Sequence, residues 1–143
     1  MDLFAPVQPI CTKIQASVTG LTAVGPVSML TGTMVEITAK LPGVFVRPVN
    51  SDALSAQNVP TAFIETEDYE IVVAVPHGAG NIAPEFLAGP IAGAVIDALI
   101  GFQPAPQYQP LYFKGFGEAS YLVGYAEFPL KFTFRFSHSQ PMR

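Results

Sequence analysis

The last third of the chain contains an alternation of aromatic and polar residues that strongly constrains its fold. From Phe128 to Phe136 every second residue is apolar, and the residues between include Lys131, Thr133 and Arg135. A period of two indicates a β-strand with one buried face, because successive side chains point to opposite sides of a sheet. A slip of one residue would expose every apolar side chain, so the pattern predicts the register as well as the strand.

Helical and extended patterns alternate through the rest of the chain. Apolar residues spaced by three and four predict helices over 4–18 and 31–41, and a longer helix from Pro84 to Gly101. Alternation over 69–75 predicts a strand. Shorter strands are predicted at 44–46, 111–113 and 120–125, a strand or connector at 21–27, loops at 50–60 and 103–110, and a turn at 115–117. This order favours an α+β fold, with a mainly antiparallel sheet of about four to five strands and helices packed on one face.

The length of 143 residues is typical of one domain. We therefore expect a single domain over 1–143, with a frayed tail at 137–143. Five large apolar residues are expected to anchor its core, and they are Leu99, Phe102, Phe128, Phe132 and Phe134.

Charged residues make up only 13% of the chain, against about 25% in an average globular protein. Some apolar surface is therefore expected to lie against another subunit. The formal net charge is −4 and no two Lys or Arg residues are adjacent, which argues against a basic stripe that follows a nucleic-acid backbone. The single cysteine, Cys11, excludes an intramolecular disulfide and fits a reducing compartment.

Neither a signal peptide nor a membrane span is expected. The first residues lack a basic stretch followed by an apolar run. The most apolar segment, 86–102, contains Asp97 and several glycines, and it is shorter than the roughly 20 residues that a spanning helix needs.

Candidate catalytic residues lack the partners that their chemistry needs. His77-Gly78 after a strand resembles an oxyanion loop, but no Gly-x-Ser-x-Gly occurs and His138 lies in the tail. The Gly-x-Gly pairs at 78–80 and 115–117 lack the remainder of a phosphate-binding loop. Asp97 is expected on the polar edge of its helix, and Cys11 among core residues. No catalytic, cofactor-binding or metal site is therefore predicted, and the chain is not expected to be an enzyme.

The remaining cluster is acidic and consists of Glu65, Glu67, Asp68 and Glu70. It has no glycine-turned loop of the kind that surrounds calcium in an EF-hand. A solvated entry to the strand at 69–75 explains it better than a metal site.

Several segments resemble a family of small tail terminator proteins from long-tailed and Mu-like phages. They are the strand start at 60–64, the strand at 69–75, the aromatic strand at 125–136, and the helix ending Leu99-Ile100-Gly101-Phe102-Gln103-Pro104. The Leu-x-Gly-aromatic-x-Pro ending is the most recognisable, and Phe102 stands where the family often has Trp. The resemblance covers about two thirds of the chain and consists of packing residues.

The resemblance implies a structural virion protein of the tail or neck, assembled in the bacterial host cytoplasm. Six copies would form a ring that caps the tail tube and docks the head-neck connector proteins, and DNA would pass through its lumen without sequence-specific binding. An acidic lining would repel the DNA backbone. We therefore hypothesise that Glu65, Glu67, Asp68 and Glu70 lie toward the lumen or on a docking face.

Two alternatives remain open from the sequence. The chain could be another head-tail connector subunit, such as a stopper or head-completion protein. It could also be a small ligand-binding or hydrolytic domain that uses His77.

Overall fold

A computed structural model of the protein describes residues 4–54, 62–78, 80 and 82–139. The elements in chain order are α1 (Val7–Ser17), β1 (Ala23–Pro26), a 3-10 turn (Val27–Met29), α2 (Met34–Thr38), β2 (Gly43–Leu54), β3 (Ala62–Pro76), α3 (Pro84–Leu99), β4 (Tyr112–Phe116), β5 (Ser120–Tyr121) and β6 (Tyr125–Ser139). The strands form one sheet in the order β1-β2-β3-β6-β4, and β5 also pairs with β6. β1 and β2 are parallel, whereas the other pairings among the described strands are antiparallel. The predicted α+β class and mainly antiparallel sheet are confirmed.

Several local predictions differ from the structure. The strand predicted at 120–125 is interrupted, because β5 ends at Tyr121 and β6 begins at Tyr125 after a turn. β2 continues past Pro48 to Leu54, so the first part of the predicted loop at 50–60 is strand, because pairing with β3 holds it extended. Residues 55–60 lie outside the described residues. Gly115 and Phe116, predicted to form a turn, belong to β4 beside an irregularity in its pairing with β6. β6 extends to Ser139, so the frayed tail does not begin at 137, and residues 140–143 are not described.

The first face of the sheet is covered by α1 and α3. Ile10 and Ile14 of α1 and Val95 and Leu99 of α3 are fully buried there, in one cluster with alternate residues of β2, β3 and β6. Pro9 lies in the first turn of α1, where backbone N–H groups have no helical partner, so a proline costs little. The helical face predicted over 4–18 therefore forms despite this proline.

The second face carries a smaller apolar cluster around Phe45 of β2 and Ala74 of β3. Ile37 of α2 packs in this cluster, so the helices are not confined to one face as expected. A capping box starts α2: Thr33 accepts a hydrogen bond from the Glu36 backbone N–H, while the Glu36 carboxylate accepts one from the Thr33 N–H. This short helix thus obtains its stability from its cap and from Ile37.

Leu99 and its neighbour Ile100 provide a matched test of this packing. Leu99 is fully buried, whereas Ile100 is 55% exposed. We expect Leu99→Ala to lower the free energy of unfolding by about 2–5 kcal/mol, because the substitution leaves a cavity in the core. The control Ile100→Ala should stay within about 0.5 kcal/mol of wild type. Chemical denaturation measures both, and equal losses would contradict the packing.

Candidate assembly surfaces

The acidic residues at 65–70 are divided between the two faces of the sheet. Glu67 lies on the first face with Tyr69 and is only 5% exposed. Asp68 and Glu70 fall on the second face, because neighbouring residues in a strand point to opposite sides. The backbone of Glu65 pairs with Ala53 of β2, and its side chain lies outside the described residues. The structure therefore does not bring the four carboxylates together.

Basic side chains accompany the acidic ones on the second face. Arg47 forms an ion pair with Glu70, and the Lys114 Nζ atom lies 3.2 Å from a carboxylate oxygen of Asp68. Lys131 lines the same shallow pocket, of about 130 Å³, as Asp68 and Glu70. This part of the second face is thus mixed in charge and does not form a uniformly acidic field.

The end of the sheet at which β3 finishes and β6 begins carries several exposed apolar side chains. We call this surface the apolar end, and it consists of Met34, Val35, Ile82, Phe86, Tyr121, Leu122 and Val123. Val123 is the most exposed of them, at 82%. Contiguous exposed apolar patches are uncommon on monomeric soluble proteins and mark interaction sites.

Side-chain and backbone contacts fix the shape of the apolar end. The Tyr121 hydroxyl donates to the Glu85 carboxylate across 2.6 Å, which joins the β5–β6 turn to the start of α3. The His77 backbone N–H donates to the Gly124 carbonyl. Gly124 has a φ of 88°, and a Cβ atom there would lie 2.6 Å from the Met34 sulfur. The positive φ favours glycine at this turn, and the turn lies against the flexible Met34 side chain of α2.

The contacts of His77 and Cys11 favour structural roles. The His77 ring meets the Tyr121 ring edge-on, with centroids 5.5 Å apart. Burial raises the pKa of the Cys11 thiol to about 11, so Cys11 is a protonated core residue at neutral pH. Asp97 is exposed on α3.

The described ranges contain neither a metal-ligand cluster nor a membrane-spanning helix. No group of three or more His, Cys, Asp or Glu residues there could hold a metal ion. Among the same residues, no helix combines the length and the apolar character needed to cross a bilayer.

The expected core anchors differ in burial. Leu99, Phe132 and Phe134 are fully buried, whereas Phe102 and Phe128 are half-buried. The ring of Phe102 lies 5.8 Å from the Lys13 ammonium, in an open groove along α1.

Tyr108 is a buried aromatic residue that sequence reasoning missed. It lies in the predicted loop at 103–110, and its ring packs edge-on against Phe134 at 4.7 Å between centroids. The Gln103 side-chain amide donates to the Tyr108 carbonyl across 2.8 Å. A lone tyrosine in a proline-rich segment was the only signal for this contact.

The exposed apolar surface at the end of the sheet fits a subunit of an assembly. The phage tail terminator protein family model matches residues 1–141, and the chain belongs to that family. It is a structural protein of the virion tail and not an enzyme, as predicted. The match extends beyond the two thirds of the chain on which the sequence resemblance rested.

A solved structure supports the fold. A chain in the virion of a native gene transfer agent particle superposes with a TM-score of 0.59 at 18% sequence identity. The alignment covers 96% of this chain and 100% of that chain. No curated protein sequence matches the chain.

The hydrogen bond between Tyr121 and Glu85 can be tested in solution through the pKa of Glu85. The donated hydroxyl holds the pKa of Glu85 below its ordinary value, so this contact favours the folded state at neutral pH and is lost as the pH falls through the lowered pKa. We expect Tyr121→Phe to raise the pKa of Glu85 toward the ordinary carboxyl value. The control Tyr112→Phe, at another exposed tyrosine, should leave it unchanged. An NMR titration of the Glu85 carboxyl group measures the pKa, and no shift in Tyr121→Phe would contradict the contact.

Proposed function

We propose that this chain is the subunit of a homohexameric ring that caps the finished tail tube and gives the head-neck proteins their docking surface. The observation that carries the proposal is the family match over residues 1–141. A ring that ends a tube needs contacts both to its own copies and to the proteins above and below it. The low charge and the apolar end supply surface for such contacts.

The contacts within such a ring are heterologous, so each copy presents two different surfaces to its neighbours. The apolar end lies at one extreme of the sheet, and we propose that another virion protein covers it in the assembled tail. Burial of Phe86, Leu122 and Val123 would remove their exposed area from water, and apolar burial is the main favourable contribution to protein association.

We further propose that the second face of the sheet, with Asp68 and Glu70, lies toward the lumen. Glu67 is buried on the other face, so this placement no longer includes the whole acidic cluster. The pairing of Arg47 with Glu70 and of Lys114 with Asp68 compensates two cations of this face, and Lys131 beside them is outside both ion pairs and would attract the DNA backbone. A lining of this kind would let DNA pass without sequence-specific binding.

Electron microscopy of particles that lack this chain tests the proposed function. We expect tails of uncontrolled length that are not attached to heads. Tails of normal length without heads would instead indicate another neck subunit, such as a stopper. Tails of normal length joined to heads would contradict both functions.

A charge at the apolar end tests whether this surface is covered in the virion. Burying an unpaired charge costs several kcal/mol, and each ~1.4 kcal/mol is a factor of ten in affinity. We therefore expect Val123→Glu to reduce incorporation into virions on the order of tenfold or more, without loss of thermal stability. Ile100→Glu is the matched control, since Ile100 is exposed at the other end of α3. Quantitative blotting of purified particles measures incorporation, and equal incorporation of both variants would contradict the proposed contact.

A further inference from the structure

Three strands extend beyond β1 and, over most of their outer part, beyond β4, and they form an arm. We define the arm as residues 47–54 of β2, 62–70 of β3 and 131–139 of β6. β3 lies in the middle and pairs with β2 on one side and with β6 on the other. The arm therefore has two outer edges, one on β2 and one on β6.

Among the described strands, the outer edge of β2 is unpaired along most of the arm, and the outer edge of β6 is unpaired near its end. β1 covers β2 only from Gly43 to Val46. β4 pairs with β6 as far as Thr133, and beyond it the Gln109 N–H donates to the Arg135 carbonyl across 2.7 Å. No described strand pairs with the outer edge at 47–54 or at 136–139. Such edges present rows of backbone donors and acceptors that can pair with another chain.

The directions of the two edges favour a ring over a dimer. β2 and β6 are each antiparallel to β3, so they run parallel to each other. Side-by-side copies related by a small rotation would place β6 of one copy beside β2 of the next, with both strands in the same direction. A two-fold axis would instead pair β2 with β2 or β6 with β6, and the second edge would stay open in either case.

We propose that β6 of one copy pairs in parallel with β2 of the next, so that the arms close into one continuous sheet around the ring axis. This inference rests on the proposed ring. The occupant of each edge is a second copy of this chain, because every copy supplies one edge of each kind and closure leaves neither open. Closure is a known way for a β-structure to remove its edges.

The same arrangement determines which face of the arm turns inward. α1 and α3, of 11 and 16 residues, pack on the first face of the sheet, whereas the second face carries α2, of only 5 residues. The inside of a closed sheet offers less room than the outside, so these helices lie outside the ring. The second face, with Asp68 and Glu70, then faces the axis, in agreement with the lumen placement proposed above.

Pro48 limits where the pairing between copies can begin. Proline has no backbone N–H and is found in sheets at edges or irregularities. The β2–β3 register shifts between Pro48 and Asn50. The shared pairing therefore lies beyond this position, along residues 50–54 of β2.

Hydrogen exchange of the free chain and of the assembled ring tests the pairing. We expect backbone amides at 50–54 and 136–139 to exchange more slowly in the ring, on the order of tenfold or more for those that gain a hydrogen bond. Amides of β4, whose outer edge is not used, serve as the internal control and should keep their rates. A ring in which the arm amides exchange as fast as in the free chain would overturn the inference and leave the proposed function standing. Failure to form any ring in the presence of tail tubes would overturn both.

Two neighbouring proline substitutions give an independent test. Along a strand, the backbone N–H groups of successive residues point to opposite sides. One of the variants Ser51→Pro and Asp52→Pro therefore removes an N–H that faces the next copy. The other removes an N–H that faces β3. We expect the outward variant to keep the circular dichroism spectrum and melting temperature of the wild type but to stay monomeric with tail tubes, as measured by mass photometry. Normal ring formation by both variants would overturn the inference. If both variants misfold, hydrogen exchange of the wild-type chain still tests the pairing between copies.

Discussion

The pairing of β3 with β6 is the interaction on which the rest of the structure depends. It runs without a register shift from the Ala62–Ser139 pair to the Pro76–Tyr125 pair. Because both strands alternate in side-chain direction, this one pairing supplies the first face, against which α1 and α3 pack, and the second face, which holds α2 and the ion pairs. β2 joins at one side and β4 at the other, and β1 is attached to the central pair through β2.

The sequence predicted the helices and strands in which apolar residues recur at regular spacing. The alternation in β6 and the helical spacing in α3 appear in the structure near the expected positions. The outer half of β2 could not be predicted in this way, since Asn50, Ser51 and Asp52 have no apolar alternation and their extended conformation comes from pairing with β3. Long-range pairing overrides local preference in strands more often than in helices.

The surfaces were harder to predict than the fold. Glu67 lies on the opposite face from Asp68 and Glu70 because successive strand residues alternate between faces. This could be predicted only if the residues were known to lie inside a strand. The ion pairs depend on Arg47 and Lys114, which are remote in sequence from the acidic segment. Some exposed apolar surface was expected from the low charge, but its position at Phe86 and Val123 could not be foreseen, because composition does not say which apolar residues lie outside the core.

The position of the apolar end also determines the polarity of any ring built from this chain. β3 runs from the tip of the arm at Ala62 to the apolar end at Pro76, a distance of about 45 Å at the usual rise per strand residue. If the strands run along the ring axis, all copies place their apolar ends on one rim and their arm tips on the other. The two rims then differ in chemistry, and a tube protein and a head protein would meet unlike surfaces, which would orient the ring without a further adaptor.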